Sequence, residues 1–405
     1  MPKKAAASEA EVLTGAARFG RAKKTLKMGL VGLPNVGKSS LFNLLTEQSA
    51  AAENYPFCTI EPSEARCPVP DKRYDKLCHI WKPPSTICSY LMVTDIAGLI
   101  KGASEGAGLG NAFLSTIGAC DGIYHVVRAF DNDEILHVEE TVDPVRDMEI
   151  IHGELCAKDL QFVQNAILAE AENVKKKRSS AYKTPEAFTS AYEKCVAQLE
   201  AKLPLRDIDV TTEELGYINE RCHNQLLTTK PVIFVVNLNA KDIIRKKNKY
   251  LPKIKAWIDE HGGGLMIPFS VEHEQERWDV KCGGDAAALK ALDDEAPGAH
   301  MLPRIIKQGF KQLNLMNFFT TGATEVRAWM VYAGATAPQA AGVIHTDFER
   351  GFIKADVCSY LPDCGCTVCS HILYSSIVLY IYIVYYSTIY SFLFLFCFVL
   401  FLIYL

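Results

Sequence analysis

An apolar run, Lys27-Met28-Gly29-Leu30-Val31, leads straight into Gly32-Leu33-Pro34-Asn35-Val36-Gly37-Lys38-Ser39, and few folds accommodate that succession. The run has the makeup of a buried parallel strand. The octapeptide is a complete phosphate-binding P-loop, and Ser40-Leu41-Phe42-Asn43-Leu44-Leu45 continues it as a helix. A glycine-rich turn between strand and helix aims successive backbone N–H groups at a β-phosphate, Lys38 reaches the β and γ oxygens, and the Ser39 hydroxyl is placed to ligate Mg²⁺. Gly32, Asn35, Val36, Gly37, Lys38, Ser39 and Ser40 are the expected phosphate cradle. A chance match in a Gly/Ser loop would lack the strand and helix periodicity on its two sides.

Further along, Val93-Thr94-Asp95-Ile96-Ala97-Gly98 has the form of a second nucleotide motif. An apolar strand delivers Asp95 to the metal through water, and the Gly98 N–H meets the γ-phosphate. Between the two motifs, in Asn54 to Pro62, Thr59 supplies a second hydroxyl to Mg²⁺ when a triphosphate orders the loop. Gly98, Gly102, Gly106, Gly108 and Gly110 mark a segment that rearranges around the γ-phosphate or, more plainly, a solvated loop.

At 405 residues two or three domains are expected, and a net charge of −4 leaves any attraction to nucleic acid to local patches. The start, Met1-Pro2-Lys3-Lys4, lacks a secretory apolar stretch, so a cytoplasmic location is expected. Most of the 14 cysteines stand singly in apolar or mixed runs, Cys120, Cys156, Cys195 and Cys222 among them, and read as reduced thiols. Strands alternate with helical segments from Leu26 to about Phe130, the pattern of a mostly parallel α/β sheet. From about 143 to 227 charged text with Leu155, Leu160, Val163, Ile167 and Leu168 at helical spacing reads as an inserted antiparallel helical pair. Sheet text resumes at Pro231–Asn237 and Leu265–Ser270. The expected division is an N-terminal extension (1–25), a nucleotide domain (26–294) interrupted by the insertion, a small C-terminal region (311–360) and an atypical hydrophobic tail (361–405).

The P-loop, Asn54 to Pro62, Asp95 to Ser104 and His125-Val126-Val127-Arg128 together resemble the Obg-like ATPases, a branch of Obg-related P-loop NTPases, and the likeness runs to about Val357. The resemblance implies a G domain with a helical insertion, a C-terminal β-grasp domain of the TGS type, and ATP as the nucleotide. Where guanine-specific relatives place Asn-Lys-x-Asp, this chain has Asn237-Leu238-Asn239-Ala240, with no carboxylate at the fourth position. Two guanine donors then lose their acceptor, enough to abolish preference. Ala240 departs from the family as well, which usually has Glu there; backbone groups near Asn237 and Leu238 would read adenine. A rival register, Asn239-Ala240-Lys241-Asp242, restores a carboxylate and with it guanine. Phe269-Ser270-Val271 is the last base-side loop expected, with Ser270 at its centre.

Leu99 stands where water-orienting relatives carry Gln, so slow basal hydrolysis is expected. In NTPases substituted this way a P-loop Asn is associated with a monovalent cation such as K⁺, and Asn35 holds that place. His137 matches a loop histidine suspected in the family of positioning the water; the plainer reading is a solvated side chain. Lys175-Lys176-Lys177-Arg178 and Arg245-Lys246-Lys247-Asn248-Lys249 are solvated helix faces or RNA contacts, and the resemblance links the family to ribosomes. DNA is not expected. The β-grasp region is expected to be truncated, short of strands and left with an exposed edge. Ile377 to Leu405 is long and uncharged enough for a transmembrane anchor, yet no Lys or Arg flanks it, and its Tyr/Ile/Phe/Ser text favours a read-through or mis-assigned final exon. Cys364, Cys366, Cys369 and His371 have zinc-ligand chemistry at cramped spacing, or are chance clustering in the same tail.

Overall fold

In a computed structural model, residues 26–52, 63–96, 115–132, 136–176, 183–222, 225–357, 379–382 and 400–402 are described. Strands β1 (Lys27–Val31), β2 (Glu64–Pro68), β3 (Ser85–Ile87), β4 (Tyr90–Asp95), β5 (Gly122–Arg128), β6 (Val232–Asn237) and β7 (Leu265–Phe269) precede β8 (Leu315–Thr321), β9 (Glu325–Tyr332), β10 (Lys354–Val357), β11 (Leu379–Tyr382) and β12 (Leu400–Leu402). Six form one sheet in the order β2-β4-β1-β5-β6-β7, and β4, β1, β5, β6 and β7 are parallel. All seven residues of β5 are buried, as are five of the six in β6. Continuous apolar runs of this kind are what a parallel sheet covered on both faces demands.

Register does the rest. Leu30 pairs with Asp95, Val31 with His125, and Asn237 with both Arg128 and Phe269. The P-loop, Asp95, Asn237 and Ser270 therefore leave the same, carboxyl edge of the sheet, where open α/β sheets bind ligands.

Among the described residues the insertion holds three α-helices, Pro144–Lys176, Glu186–Glu200 and Thr212–Cys222, and a 3₁₀ turn at Leu205–Asp207, rather than the expected pair. The third was hidden by its brevity. It is fixed by a reciprocal cap, in which Thr211 N–H donates to Glu214 Oε2 at 2.7 Å and Glu214 N–H to Thr211 Oγ1 at 3.3 Å. Its Ile218 and Cys222 pack with Tyr192, Cys195, Cys156 and Val163. Cys156, Cys195 and Cys222 are buried thiols, and burial pushes the first two up to about 12.

The 33-residue helix serves two cores, because Met148 near its start packs against Val127, Phe234 and Trp257 under the sheet. Farther along, Asp159 is fully buried and accepts from Leu227 N–H, Thr228 N–H (both 2.7 Å) and the Thr228 hydroxyl (2.6 Å). Two residues on, the buried Lys230 ammonium donates to the carbonyls of Ile117, Gly118 and Cys120. These contacts fix the segment that enters β6.

By contacts the chain makes two compact units, one built on the described parts of Met1–Glu47, Phe57–Ala65 and Met92–Met301, the other on Arg66–Leu91 and the described parts of Gln48–Pro56 and Leu302–Leu405. The segment 66–91, read above with the nucleotide domain, belongs to the second unit. There β3 pairs in parallel with β9, and the sheet order is β12-β8-β9-β3. β3 lies along β9 and β12 along β8, so these two are the outer strands of that sheet. Helix Lys72–Trp81 sets Leu77 and Tyr74 against Phe319, Val326 and Ala328. Of the run 377–405 the described pieces are the strands β11 and β12, and among the described residues no helix is long and apolar enough to cross a membrane. Cys364, Cys366, Cys369 and His371 lie outside the described residues.

Candidate nucleotide site

The P-loop turn is built by backbone constraints. Gly37 has φ +101°, and a Cβ there would lie 2.6 Å from Asn237 Nδ2; a Cβ on Gly32 would lie 2.6 Å from the Val126 carbonyl oxygen. Neither position admits a side chain. Asn35, at φ 60°, takes the left-handed conformation that asparagine tolerates, and its Nδ2 donates to the Leu136 carbonyl at 3.1 Å. That bond ties the P-loop to the segment bearing His137. Val36 is buried, whereas Ser39 and Ser40 are exposed at the start of helix Lys38–Ala52.

Lys38 is 6% exposed, and its Nζ donates to the Leu33 carbonyl at 2.7 Å. Burial lowers its pKa to about 8 against the opposing pull of Asp95. Such an ammonium gains from an anion beside it. The Ser39 hydroxyl donates to Asp95 Oδ2 at 3.1 Å, while Asp95 Oδ1 is buried with no hydrogen-bond partner among the described residues. Burial raises the Asp95 pKa, and the Ser39 bond and Lys38 only partly counter it. A hydroxyl and an underused carboxylate side by side are the hard-oxygen set that suits Mg²⁺. Thr59 and Gly98, the other residues expected around the metal and γ-phosphate, lie outside the described residues, as does Leu99.

At the opposite end Asn237 closes β6 and links two loops. Its Nδ2 donates to the Val36 carbonyl at 3.1 Å, and its Oδ1 accepts from Val271 N–H at 3.1 Å. Leu238 is buried and donates N–H to the Phe269 carbonyl at 2.8 Å. Ser270 is buried and caps helix Val271–Cys282, accepting from His273 N–H. In the rival register Asn239 is the residue before helix Ala240–Arg245, and Asp242 Oδ2 accepts from Asn248 Nδ2 at 2.6 Å.

A family model described as a 50S ribosome-binding GTPase matches residues 27–163, and a YchF-GTPase C-terminal model, described as a protein of unknown function, matches 315–365. The chain is 48% identical to Obg-like ATPase 1 of Oryza sativa subsp. indica over 342 residues, 84% of each. It is 49% identical to Obg-like ATPase 1 of Homo sapiens over 344 residues, 84% of this chain and 85% of that one. The chain belongs to the Obg-like ATPase family. The solved YchF GTPase of Schizosaccharomyces pombe aligns with a TM-score of 0.71 at 44% identity, covering 84% of this chain and 89% of that one. The fold read from the motifs, a P-loop NTPase sheet domain with helical insertion, is therefore that of the family.

Within this Obg-like framework His137 is not a solvated loop side chain. It is buried, its Nε2 lies 2.8 Å from Asp147 Oδ2, and its Nδ1 accepts from Glu139 N–H at 3.1 Å. Asp143 caps the long helix through Val145 N–H at 3.1 Å, which sets Asp147 one turn in and facing the imidazole. Burial raises the Asp147 pKa despite His137 and Arg146. Both ring nitrogens are thus engaged. Sequence reading missed Asp147 because nothing in the spacing ties residue 137 to 147. It also missed Glu272, whose Oε2 accepts from Ala240 N–H at 3.1 Å, because the base-side loop was read only as far as Val271.

Proposed function

We propose that this protein is an Mg²⁺-dependent ATP-binding and ATP-hydrolysing switch. The observation that carries the reading is the P-loop joined to Asp95 through Ser39 and to Asn237 through Val36. Phosphate is held by the loop amides and Lys38; Ser39, Thr59 and, through water, Asp95 hold the metal. Bound there, Mg²⁺ supplies charge neutralisation for transfer of a phosphoryl group to water. Support for ATP comes from the relatives named as ATPases and from Ala240, which leaves the fourth position of Asn237-Leu238-Asn239-Ala240 without a carboxylate. Calorimetric titration with ATP and GTP, alongside phosphate release at saturating nucleotide, tests the assignment. Tighter GTP binding would overturn it.

Slow turnover is part of the same reading. Leu99 cannot polarise water, and His137 acts on the nucleophile only after a ring nitrogen leaves Asp147 or Glu139. Asn35 is the residue proposed to place K⁺. His137→Ala is expected to lower phosphate release under saturating ATP and K⁺; equal turnover removes the histidine from the chemistry. The engaged imidazole also favours a second reading, a nucleotide-gated binding module with incidental turnover. Tight ATP binding without multiple-turnover phosphate release would select it.

Association with ribosomes or RNA, in the cytoplasm, is the third element. Arg245, Lys246 and Lys247 are exposed beside the base end of the site, and Lys175 and Lys176 close the long helix. Co-sedimentation with ribosomes should weaken steeply with salt. Binding unchanged after neutralising both clusters would refute these contacts.

A further inference from the structure

Position 240 lacks a base-reading carboxylate, yet one is brought to that place from another segment. Glu272 lies in the first turn of helix Val271–Cys282, is exposed, and turns so that its Oε2 accepts from Ala240 N–H at 3.1 Å, across 32 residues of chain. Both sides of this bond are tied to the nucleotide cradle. Val271, next to Glu272, donates to Asn237 Oδ1 at 3.1 Å, and Asn237 in turn holds the Val36 carbonyl of the P-loop at 3.1 Å. Leu238, two residues before Ala240, donates to the Phe269 carbonyl at 2.8 Å.

We infer that Glu272 is the residue that reads the purine base, supplying from the loop after β7 the acceptor that residue 240 cannot. This rests on the nucleotide-binding reading above and deepens it. An acid in the first turn also suits the helix dipole, which accounts for a carboxylate at the helix start. It does not account for the bond across to Ala240. That bond occupies Oε2 and directs the carboxylate along the loop that ends β6, so Oε1 is the oxygen offered to a base. One oxygen matches the single exocyclic amino donor on the Watson–Crick edge of adenine. Guanine presents N1–H and N2–H₂ side by side and asks for two. The specificity element of this site has therefore moved from the end of β6 to the loop after β7.

The test is the ratio of ATP to GTP affinity, measured by calorimetry for the wild type, E272A and the double variant A240E/E272A, with thermal melts alongside. E272A is expected to weaken ATP about tenfold, the loss of one hydrogen bond to a charged acceptor, and GTP far less. In the double variant the carboxylate returns from the other loop, and discrimination between the bases is expected to recover. An unchanged ratio in E272A overturns the inference, and a lowered melting temperature with an unchanged ratio does so too by leaving only a helix-end role. Wild-type preference is a separate readout: a chain that binds GTP better refutes the ATP assignment. A loss confined to GTP in E272A would likewise overturn the match of Oε1 to adenine.

Discussion

At the phosphate end of the site one unbroken stretch, Gly32 to Ser39, carries the turn, the amides, the lysine and the hydroxyl. The base end is assembled from loops far apart in sequence, with Asn237 and Ala240 on one and Val271 and Glu272 on the other. Phosphate looks the same in every nucleotide, so backbone amides in a fixed turn suffice and side chains beyond Lys38 and Ser39 matter little. A base must be told from another base, and that falls to side chains. Side chains can be supplied from any loop that reaches the place. An octapeptide therefore announces itself, whereas a specificity element can change position without changing its location in space.

The strongest way to break this contrast is Lys38→Ala. It is expected to cost about a hundredfold in affinity for ATP and GTP alike, as loss of a charge-assisted contact to phosphate would. A loss confined to one nucleotide, seen by calorimetry, would mean that the phosphate end is not blind to the base. Asn237→Ala comes next, because it cuts the link between the two ends at Val36 and at Val271. A fall of about thirtyfold for both nucleotides is expected, from two hydrogen bonds of ordinary worth. Intact binding in that variant would show the ends to be independent.

A smaller effect follows from protonation. With Lys38 held at about 8, a bound triphosphate raises its pKa again, so binding takes up a proton once the pH exceeds 8. Affinity is expected to fall by up to about tenfold between pH 8 and 9. Titrations in buffers of different ionisation enthalpy would detect the proton, and its absence would remove Lys38 from the phosphates.

The smallest effect separates the site from its scaffold. Burial lowers His152 from its usual range to about 4, so the folded state binds fewer protons than the unfolded one between that value and 6.5. Stability is lost as the pH falls through this window, by about 1 kcal/mol down to pH 5.5. Asp159, raised by burial to about 6, works in the opposite sense and gains as the pH falls. His152→Gln should flatten the acid dependence of the melting temperature without altering nucleotide affinity.

How far the sequence could be read follows the same division. β1, β5 and β6 were visible as apolar runs because two-sided burial leaves no alternation to confuse, and β4 by its run Leu91-Met92-Val93. β2, β3 and helix Lys72–Trp81 were not, since half-buried text such as Glu64-Ala65-Arg66-Cys67-Pro68 carries its pattern only against a partner. That β3 pairs with β9 depends on a contact 240 residues away, which no local window contains. That Lys38, Ser39, Asp95 and Asn237 come together at one edge of the sheet was legible from motif and strand end. Asp147 and Glu272 were not, because each earns its place only through a hydrogen bond across the fold.

The grip of Asp159 on Leu227 and Thr228 bears on how such a chain may be altered. The insertion leaves and rejoins the nucleotide domain, and looks in the sequence like a cassette that could be excised. Removing its helices, from Pro144 to Cys222, would strip the amides of Leu227 and Thr228 of their acceptor in a buried place, just ahead of the strand that ends in Asn237. Two stranded amides cost about 2 to 6 kcal/mol, a large share of the stability of an ordinary domain. Any shortened version therefore has to carry its own replacement for that one carboxylate, and grafting the insertion onto another P-loop protein would require the recipient to offer the same two amides.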